Sequence, residues 1–455
     1  MIIFVLIFAA IIRFISINQS LWLDEATSAL TTKMSLADFF GKFMPGDFHP
    51  PLYYLALRMW STLFGTSEVA LRSLSLIFGI ATIYIVYLIG RELVSKQMGI
   101  VASVLFATSG LHIYYSQEAR MYSMSTFLVT LAVFSFVKIF GKESRAVWWA
   151  LFSLAIGGIV LTDYLPILII PVFWVMGIFS YKNIDWWKRF VVSHIIVVVL
   201  GTIWLPTFLK QLTSGINVTS TSPAWVNVLG KFSLKEIFLI PVKFEIGRVS
   251  FDKYTYIFVV GILTLIFGFL IYTSRKQFKN LRLIWLWLLV PILASLLISL
   301  KLPVLNYFRF LFVLPALYLI IATGITILSK RIQKAFLFVI LGINLFTSGT
   351  YLFNVKFQRE DWRSAVKYIN SNKGSNSEVV FPANSQMEAY RYYDSNALLY
   401  GPSGINKKYT EIWLVRYVQP ISDSGDHTRV LVESSGFKKS GEYDFNGVVV
   451  WKYNK

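Results

Sequence analysis

Long apolar runs separated by short polar segments make up most of this chain up to residue 353. A helix needs about 20 mostly apolar residues to cross a bilayer, and runs close to that length recur throughout this region. The pattern predicts a polytopic α-helical membrane protein with about eleven transmembrane helices. They are expected at residues 2–17, 69–90, 98–115, 121–140, 147–162, 164–180, 190–209, 254–273, 282–300, 307–328 and 335–353.

The charges between these runs predict an orientation. Every second connection is short and basic, as residues 275–282 are, whereas the others are either long, as at 18–68 and 210–253, or nearly uncharged. Short loops rich in Lys and Arg are typical of the cytoplasmic face. The sequence therefore predicts a multi-pass protein of the plasma (cell) membrane with a cytoplasmic N-terminus. An odd number of spans then places the C-terminus outside the cytoplasm.

The composition of the chain changes near Gln358, where polar residues and short β-branched runs replace the apolar runs. Asp361, followed by apolar residues at helical spacing, predicts an N-capped amphipathic helix. We expect residues 1–355 to form the membrane domain, with a long outer loop at 18–68, and residues 356–455 to form a small extracytoplasmic α/β domain. Its strands are predicted at residues 378–381, 412–418, 429–432 and 448–453.

The overall composition agrees with a membrane protein and excludes several other classes. Apolar residues make up 56% and charged residues 15% of the chain, whereas soluble domains carry about 25% charge. The net charge of +19 is explained by basic cytoplasmic loops and anionic lipid headgroups, and not by nucleic acid. The chain has no cysteine, which excludes disulfides, thiol catalysis and cysteine-ligated metals. The common nucleotide-binding and zinc-protease motifs are missing as well.

Four polar clusters lie at the predicted outer ends of the apolar runs. Charged groups beside a bilayer are costly and therefore mark candidate functional sites. Carboxylates suit proton transfer, and planar guanidinium groups suit phosphate oxygens. The clusters are 22–26 with Asp24 and Glu25, 49–54 with His49 and Tyr53, 114–122 with Glu118, Arg120 and Tyr122, and 306–310 with Arg309.

Each cluster also has a purely structural explanation. The two prolines of cluster 49–54 predict a rigid corner with an interfacial His49, followed by a short interfacial helix from Leu52. Either Asp24 or Glu25 can cap a helix, and adjacent residues do not share a helix face, so at most one of the two points into a given site. Glu118 and Arg120 can pair with each other, and Arg309 can extend to the membrane interface. The residues alone leave both kinds of explanation open.

Taken together, the four clusters resemble the motifs of the GT-C membrane glycosyltransferases, above all the branch of protein O-mannosyltransferases and aminoarabinose transferases. They occur in the family's order and at its helix junctions, and the resemblance covers about residues 1–353. The motifs are Trp22-x-Asp24-Glu25-Ala26, His49-Pro50-Pro51-Leu52-Tyr53-Tyr54, Gln117-Glu118-Ala119-Arg120-Met121-Tyr122 and Arg309-Phe310-x-x-x-x-Pro315-Ala316-Leu317-Tyr318.

The resemblance implies an inverting glycosyltransferase. It would move a hexose or pentose from a polyprenyl- or dolichyl-phosphate donor to a hydroxyl of a protein, a lipid glycan or an envelope polymer on the outer face of the membrane. Asp24 matches the family's general base, with Glu25 beside it as the second catalytic candidate. His49, Arg120 and Arg309 match positions that face the carrier phosphate. Three neighbours are further pocket candidates: Tyr53, Glu118 and Tyr122.

Two positions depart from the family pattern. Phe310 stands where relatives commonly have Tyr, and Asp163 stands where some carry His or Lys, so Asp163 is assigned no role. No cofactor is predicted. Some relatives bind a divalent metal ion, and its ligands here would have to come from a set without metal-binding spacing: Asp24, Glu25, His49 and Glu118.

The alternatives to an enzyme are a polytopic transporter or flippase and a non-catalytic assembly protein for envelope polysaccharide. Transporters tend to show inverted repeats and helices broken near the midplane, whereas the charges here lie at the outer helix junctions. An assembly protein would leave Asp24, His49, Arg120 and Arg309 scattered and not gathered in one outward pocket.

Overall fold

The computed structural model describes residues 1–141, 145–180, 182–221, 223–402, 405 and 408–455. Up to residue 353 the regular structure in this part of the chain is helical. The helices are α1 (Ile2–Phe14), α2 (Leu23–Thr31), α3 (Leu36–Asp38), α4 (Leu52–Phe64), α5 (Glu68–Leu93), α6 (Lys96–Thr108), α7 (Gly110–Ser116), α8 (Tyr122–Phe140), α9 (Ala146–Val160), α10 (Ile170–Ile178), α11 (Ile184–Thr221), α12 (Pro223–Leu229), α13 (Leu234–Ile246), α14 (Lys253–Ser274), α15 (Phe278–Ile298), α16 (Leu314–Ile327) and α17 (Lys330–Phe353).

Six helical segments of the described chain are long and apolar enough to cross a membrane, or seven if the bent pair α6 and α7 forms one span. The bend between α6 and α7 measures 65°. The chain is therefore a multi-pass membrane protein. The six segments are Glu68–Leu93, Tyr122–Phe140, Ile184–Val218, Lys253–Ile298, which contains both α14 and α15, Tyr307–Ile327 and Lys330–Phe353.

The predicted number of about eleven spans is not confirmed. Each predicted run overlaps a helix, but three apolar helical segments, Ile2–Phe14, Ala146–Val160 and Leu165–Ile178, are shorter than the others. A bilayer crossing takes about 20 residues. An apolar run indicates only that its residues are kept away from water. Hydropathy alone therefore does not distinguish a helix that crosses the bilayer from a shorter helix packed among its neighbours.

Two glycines allow α5 and α6 to pack closely. A Cβ atom on Gly90 would lie 2.6 Å from the Cα atom of Gly99, and a Cβ atom on Gly99 would meet the carbonyl oxygen of Tyr87. This contact fixes α5, whose opposite end carries Arg72 and the buried residues around it. The packing of α5 thereby bears on the outer loop, because Arg72 donates hydrogen bonds to the Gln19 and Ser20 carbonyls of that loop.

The C-terminal part, residues 356–455, contains one mixed sheet with strand order β2-β1-β3-β5-β4. Strand β1 is parallel to β2 and β3, whereas β5 is antiparallel to β3 and β4. The strands are β1 (Ser377–Val380), β2 (Leu399–Tyr400), β3 (Glu411–Val415), β4 (Lys438–Phe445) and β5 (Val448–Asn454), and the helices are α18 (Trp362–Asn372), α19 (Met387–Tyr393), α20 (Gln419–Ser422) and α21 (His427–Ser434).

The helix cap and three of the four strands predicted for this part are confirmed. Asp361 caps α18, because its side chain accepts a hydrogen bond from Ser364 N–H at 3.1 Å. Three predicted strands overlap β1, β3 and β5, but the strand predicted at 429–432 is wrong, since these residues belong to α21. There, Thr428 and Val432 are buried four positions apart, which is a helical spacing.

The C-terminal part is seated on the outer loop 18–68. Arg363 Nη2 lies 2.7 Å from Glu68 Oε1, and the Tyr393 hydroxyl accepts a hydrogen bond from Leu21 N–H at 2.8 Å. Helix α19 packs against α2. Because α2 carries Asp24 and Glu25, the C-terminal part bears directly on the predicted site.

Candidate active site

Asp24 and Glu25 lie in the first turn of α2 and point in different directions. The Asp24 side chain is 43% exposed, whereas the Glu25 side chain is completely buried. Neither carboxylate caps the helix, because Trp22 occupies the N-cap position without a side-chain hydrogen bond. Only Asp24 of this predicted pair is open to a substrate.

Glu25 is the centre of a buried ion-pair network. Arg72 donates to both of its carboxylate oxygens, at 2.8 and 2.5 Å, and Arg359 Nε lies 3.2 Å from Glu25 Oε2. The Ala119 N–H donates to Glu25 Oε1 at 2.7 Å. Burial alone raises the pKa of Glu25, but Arg72 and Arg359 outweigh burial and hold that pKa below its ordinary value. The network ties α2 to the segment that precedes α8.

Arg120 faces Asp24 and connects it to the His49 motif. Its Nη2 atom lies 3.7 Å from Asp24 Oδ2 and 3.3 Å from His49 Nδ1. Its Nη1 atom donates to the Tyr54 hydroxyl at 3.2 Å. Among the described residues, its buried Nε atom has no hydrogen-bond partner. Three of the four predicted motifs therefore meet at one guanidinium group that retains a free donor.

The corner at residues 49–51 sets this arrangement. As predicted, a helix follows it, since α4 begins at Leu52 with Pro51 at the N-cap position. The Tyr54 hydroxyl donates to Asp47 Oδ2 at 2.8 Å, and His49 Nδ1 lies 3.7 Å from the same oxygen. Asp47 thus holds His49 and Tyr54, two of the residues that contact Arg120.

Tyr53 of α4 and Tyr122 of α8 pack next to the site and hold the segment that carries Arg120. The Tyr53 and Ser75 hydroxyls are 2.9 Å apart, and Ser75 Oγ donates to the Arg120 carbonyl at 3.2 Å. The Tyr122 ring packs edge-on against Phe308 with the ring centroids 5.4 Å apart. Tyr53 therefore fixes the backbone of Arg120, and Tyr122 links the Arg120 segment to the motif of Arg309.

Glu118 pairs with Arg359, and the pairing of Glu118 with Arg120 proposed as a structural alternative is wrong. Arg359 Nη2 lies 3.3 Å from Glu118 Oε2, and both side chains are 1% exposed. Burial raises the pKa of Glu118 to about 7, although the Arg359 charge acts in the opposite direction. Glu118 consequently belongs to the buried network around Glu25.

Arg309 lies close enough to share a carboxylate neighbour with the other two predicted cations. Its side chain is half-buried. The buried Asp163 carboxylate interacts electrostatically with His49, Arg309 and Arg120, and burial still raises the pKa of Asp163. The sequence assigned Asp163 no role, yet it interacts with all three residues that were predicted to face the carrier phosphate.

Sequence reasoning did not identify four charged residues of this region: Asp47, Arg72, Arg248 and Arg359. The exposed Arg248 donates to the Tyr114 hydroxyl at 2.8 Å and lies over the Tyr114 ring. One signal was available, because Arg72 lies inside the predicted span 69–90, where a charge is costly.

In the described parts of the chain, no group of three or more His, Asp or Glu side chains could hold a metal ion.

Comparisons with known sequences match part of the chain. Residues 48–209 match a family model described as dolichyl-phosphate-mannose-protein mannosyltransferase. An uncharacterized protein from Aquifex aeolicus is 24% identical over 136 residues, which covers 29% of this chain and 26% of that protein. The chain thus matches about a quarter of the length of this relative.

Solved structures match over nearly the whole chain. ArnT from Cupriavidus metallidurans, solved in the apo state and bound to undecaprenyl phosphate, matches with a TM-score of 0.62 and 13% identity over 99% of this chain and 97% of that chain. The archaeal oligosaccharyltransferase AglB from Archaeoglobus fulgidus, in complex with an inhibitory peptide and a dolichol-phosphate, matches with a TM-score of 0.53 and 12% identity over 99% and 74%. Both are GT-C glycosyltransferases. This chain has the GT-C fold.

The resemblance predicted from the four motifs is therefore confirmed at the level of the fold. Within this GT-C fold, Arg120 lies within 4 Å of both Asp24 and His49. Arg309 shares the electrostatic neighbour Asp163 with Arg120 and His49. The arrangement offers a half-exposed carboxylate beside a group of cations. It can accept a proton on one side and bind an anion on the other.

Proposed function

We propose that this protein is an inverting glycosyltransferase that uses a polyprenyl- or dolichyl-phosphate sugar as the donor and a hydroxyl group as the acceptor. The observation that carries the proposal is the contact of Arg120 with Asp24 at 3.7 Å and with His49 at 3.3 Å. A half-exposed carboxylate next to a buried guanidinium group suits a reaction in which a hydroxyl loses a proton and a phosphate leaves.

In the proposed reaction, Asp24 takes the proton of the acceptor hydroxyl while the acceptor oxygen bonds to the anomeric carbon. The bond from that carbon to the phosphate oxygen breaks, and the lipid phosphate leaves with the electron pair. Negative charge grows on the phosphate, where His49, Arg120 and Arg309 stabilise it. With the base and the leaving group on opposite sides of the anomeric carbon, the configuration inverts.

The proposed topology places this site on the extracytoplasmic side. Residues 1–355 form the membrane transferase domain, and residues 356–455 form the outer domain. The short basic loops face the cytoplasm, in keeping with the positive-inside rule. A lipid-linked donor suits this location, because the phosphate of its headgroup lies at the membrane surface, within reach of Arg120 and Arg309.

Support for the donor class comes from similar proteins and from the site itself. ArnT has been solved with undecaprenyl phosphate and AglB with a dolichol-phosphate. In this chain, Arg120 keeps a buried donor without a partner among the described residues. Such a guanidinium suits a phosphate oxygen, which accepts charge-assisted hydrogen bonds. The acceptor is a hydroxyl of a protein, a lipid glycan or an envelope polymer.

The proposal is tested by donor turnover. Purified protein in lipid nanodiscs is incubated with a panel of radiolabelled polyprenyl-phosphate sugars, and the release of labelled sugar from the lipid is followed. We expect turnover of at least one donor. Flipping of a labelled lipid between leaflets without cleavage would favour a transporter or flippase, and binding without either event would favour a non-catalytic assembly protein.

Replacing Arg120 by alanine is expected to weaken donor binding and to lower turnover. Loss of one hydrogen-bond donor that stabilises the transition state typically lowers kcat about 10²–10³-fold. In the proposed mechanism Arg120 also contacts the phosphate of the bound donor before the reaction, so its loss should weaken binding as well. The measurement is the Kd for undecaprenyl phosphate together with kcat for the donor found above.

Arg58→Ala is the matched control for this variant. Arg58 is a half-buried arginine of the outer loop whose side chain donates to the Met34 carbonyl and, unlike Arg120, contacts neither Asp24 nor His49. We expect the control to keep the wild-type Kd and kcat. An Arg120→Ala protein with the same Kd and kcat as the control would remove Arg120 from the donor site.

A further inference from the structure

Two buried carboxylates flank the residues that the proposed reaction uses. Glu25 follows Asp24 in the chain, and Glu118 lies two positions before Arg120. The Glu25 side chain is 0% and the Glu118 side chain 1% exposed. Buried carboxylates need cationic or hydrogen-bonding partners, and the identity of those partners decides how the segments beside them are held.

A single guanidinium group bridges the two carboxylates. Arg359 Nε lies 3.2 Å from Glu25 Oε2, and Arg359 Nη2 lies 3.3 Å from Glu118 Oε2. Its Nη1 atom donates to the Tyr351 hydroxyl at 3.0 Å, and the guanidinium stacks on the Tyr114 ring at 4.4 Å. The side chain of Arg359 is 1% exposed.

These contacts close a ring around the backbone that carries Arg120. Glu25 accepts a hydrogen bond from Ala119 N–H at 2.7 Å, Ala119 follows Glu118 in the chain, and Glu118 returns to Glu25 through Arg359. The outward neighbours of this ring are Asp24 on one side and Arg120 on the other. The buried network therefore connects the two segments whose side chains, Asp24 and Arg120, lie 3.7 Å apart.

Arg359 also fixes the C-terminal part relative to this ring. Its backbone N–H donates to Gln19 Oε1 at 3.0 Å, and its carbonyl accepts a hydrogen bond from Asn446 Nδ2 at 2.9 Å. Asn446 belongs to the turn between β4 and β5. The residue thus joins the sheet, the outer loop and the segment before α8.

We propose that Arg359 is a positioning residue that holds the base Asp24 and the phosphate-binding Arg120 at their working distance, so that the C-terminal part completes the active site. This inference rests on the proposed function. Arg72 does not replace Arg359, because its side chain donates to Glu25 and to the carbonyl groups of residues 17, 19 and 20, and within the described part of the chain it does not contact Glu118. Without Arg359, Glu118 loses its ion-pair partner, and the loop that carries Arg120 is released.

The test compares Arg359→Met with Arg363→Met. Arg363 also ties the C-terminal part to the outer loop, through Glu68, but its side chain is 45% exposed and it contacts neither Glu25 nor Glu118. The readouts are the Kd for undecaprenyl phosphate, kcat, and the thermal unfolding midpoint in the same detergent. We expect Arg359→Met to weaken binding about tenfold or more through misplacement of Arg120, whereas Arg363→Met leaves Kd and kcat unchanged.

A double-mutant cycle separates positioning from general damage. If Arg359 acts through Arg120, Arg359→Met should change the Kd by less than about twofold once Arg120 is already alanine, because interacting sites are not additive. Equal weakening in both backgrounds would overturn the inference. Arg359→Lys keeps the charge but lacks the planar fork that reaches two carboxylates, so an intermediate Kd is expected, and a wild-type Kd would overturn the bridging role.

The wild-type protein separates the two possible failures. Absence of donor turnover and of undecaprenyl phosphate binding by the wild type would overturn the proposed function and, with it, the role of Arg359. Wild-type binding and turnover that Arg359→Met leaves unchanged would overturn the positioning role alone.

Discussion

Replacing Asp24 by asparagine is expected to abolish sugar transfer while the protein still folds and still binds its lipid donor. Asparagine has the same shape but cannot take the proton of an acceptor hydroxyl. A positioned general base contributes about 10²–10⁴ in rate, so turnover should fall by at least that factor. Folding should be preserved because the Asp24 side chain is 43% exposed and its ion pair with Arg120 spans 3.7 Å.

Three measurements check this expectation. They are donor turnover, the Kd for undecaprenyl phosphate and the thermal unfolding midpoint. Asp38→Asn is the matched control, because Asp38 lies in the same outer loop and forms an exposed ion pair with Lys42 at 2.7 Å. The control should keep wild-type values throughout. Near-wild-type turnover by Asp24→Asn would show that the general base is another residue.

The division of labour between Asp24 and Glu25 was only half predictable from the sequence. Adjacent residues on a helix face different ways, so at most one of the two carboxylates was expected to point into the site. Which carboxylate is buried depends on partners that lie far away in the sequence. Arg72 lies 47 positions from Glu25 in the chain, and nothing in a motif of five residues identifies it or Arg359.

The partner of Glu118 shows the same limit. Its nearest cation in sequence is Arg120, and local spacing made that pair the natural structural alternative. The structure pairs Glu118 with Arg359 at 3.3 Å instead and directs Arg120 towards Asp24 and His49. Ion pairs are chosen by the tertiary fold, because several oppositely charged groups compete for each carboxylate and sequence distance does not rank them.

The fold was more predictable than the site contacts because it rests on long and repeated patterns. All eleven apolar runs fall on helices, and the cap at Asp361 follows from local chemistry. The failures are short elements. Strand β2 has only two residues. Residues 429–432 include two valines, which favour a strand, but they lie in α21, where Thr428 and Val432 are buried.

Replacing Glu25 by glutamine is expected to destabilise the protein strongly, in contrast to the change at Asp24. Removing one partner of a buried ion pair costs about 3–5 kcal/mol, because the remaining charge stays buried without compensation. Among the described residues, Arg359 would then keep Glu118 as its carboxylate contact within 4 Å, and Arg72 would keep none. Glutamine keeps the volume of the side chain, so the effect isolates the charge.

The adjacent Asp24→Asn variant is the control, since both changes neutralise one carboxylate in the same helical turn. We expect the thermal unfolding midpoint to fall clearly for Glu25→Gln and to stay at the wild-type value for Asp24→Asn. At a temperature where both proteins are folded, donor turnover should be lower for Asp24→Asn than for Glu25→Gln. A Glu25→Gln protein with an unchanged midpoint and no turnover would instead make Glu25 a catalytic residue, as the sequence predicted. The two carboxylates would then act together, and the buried network would have to open during the reaction to expose the second one.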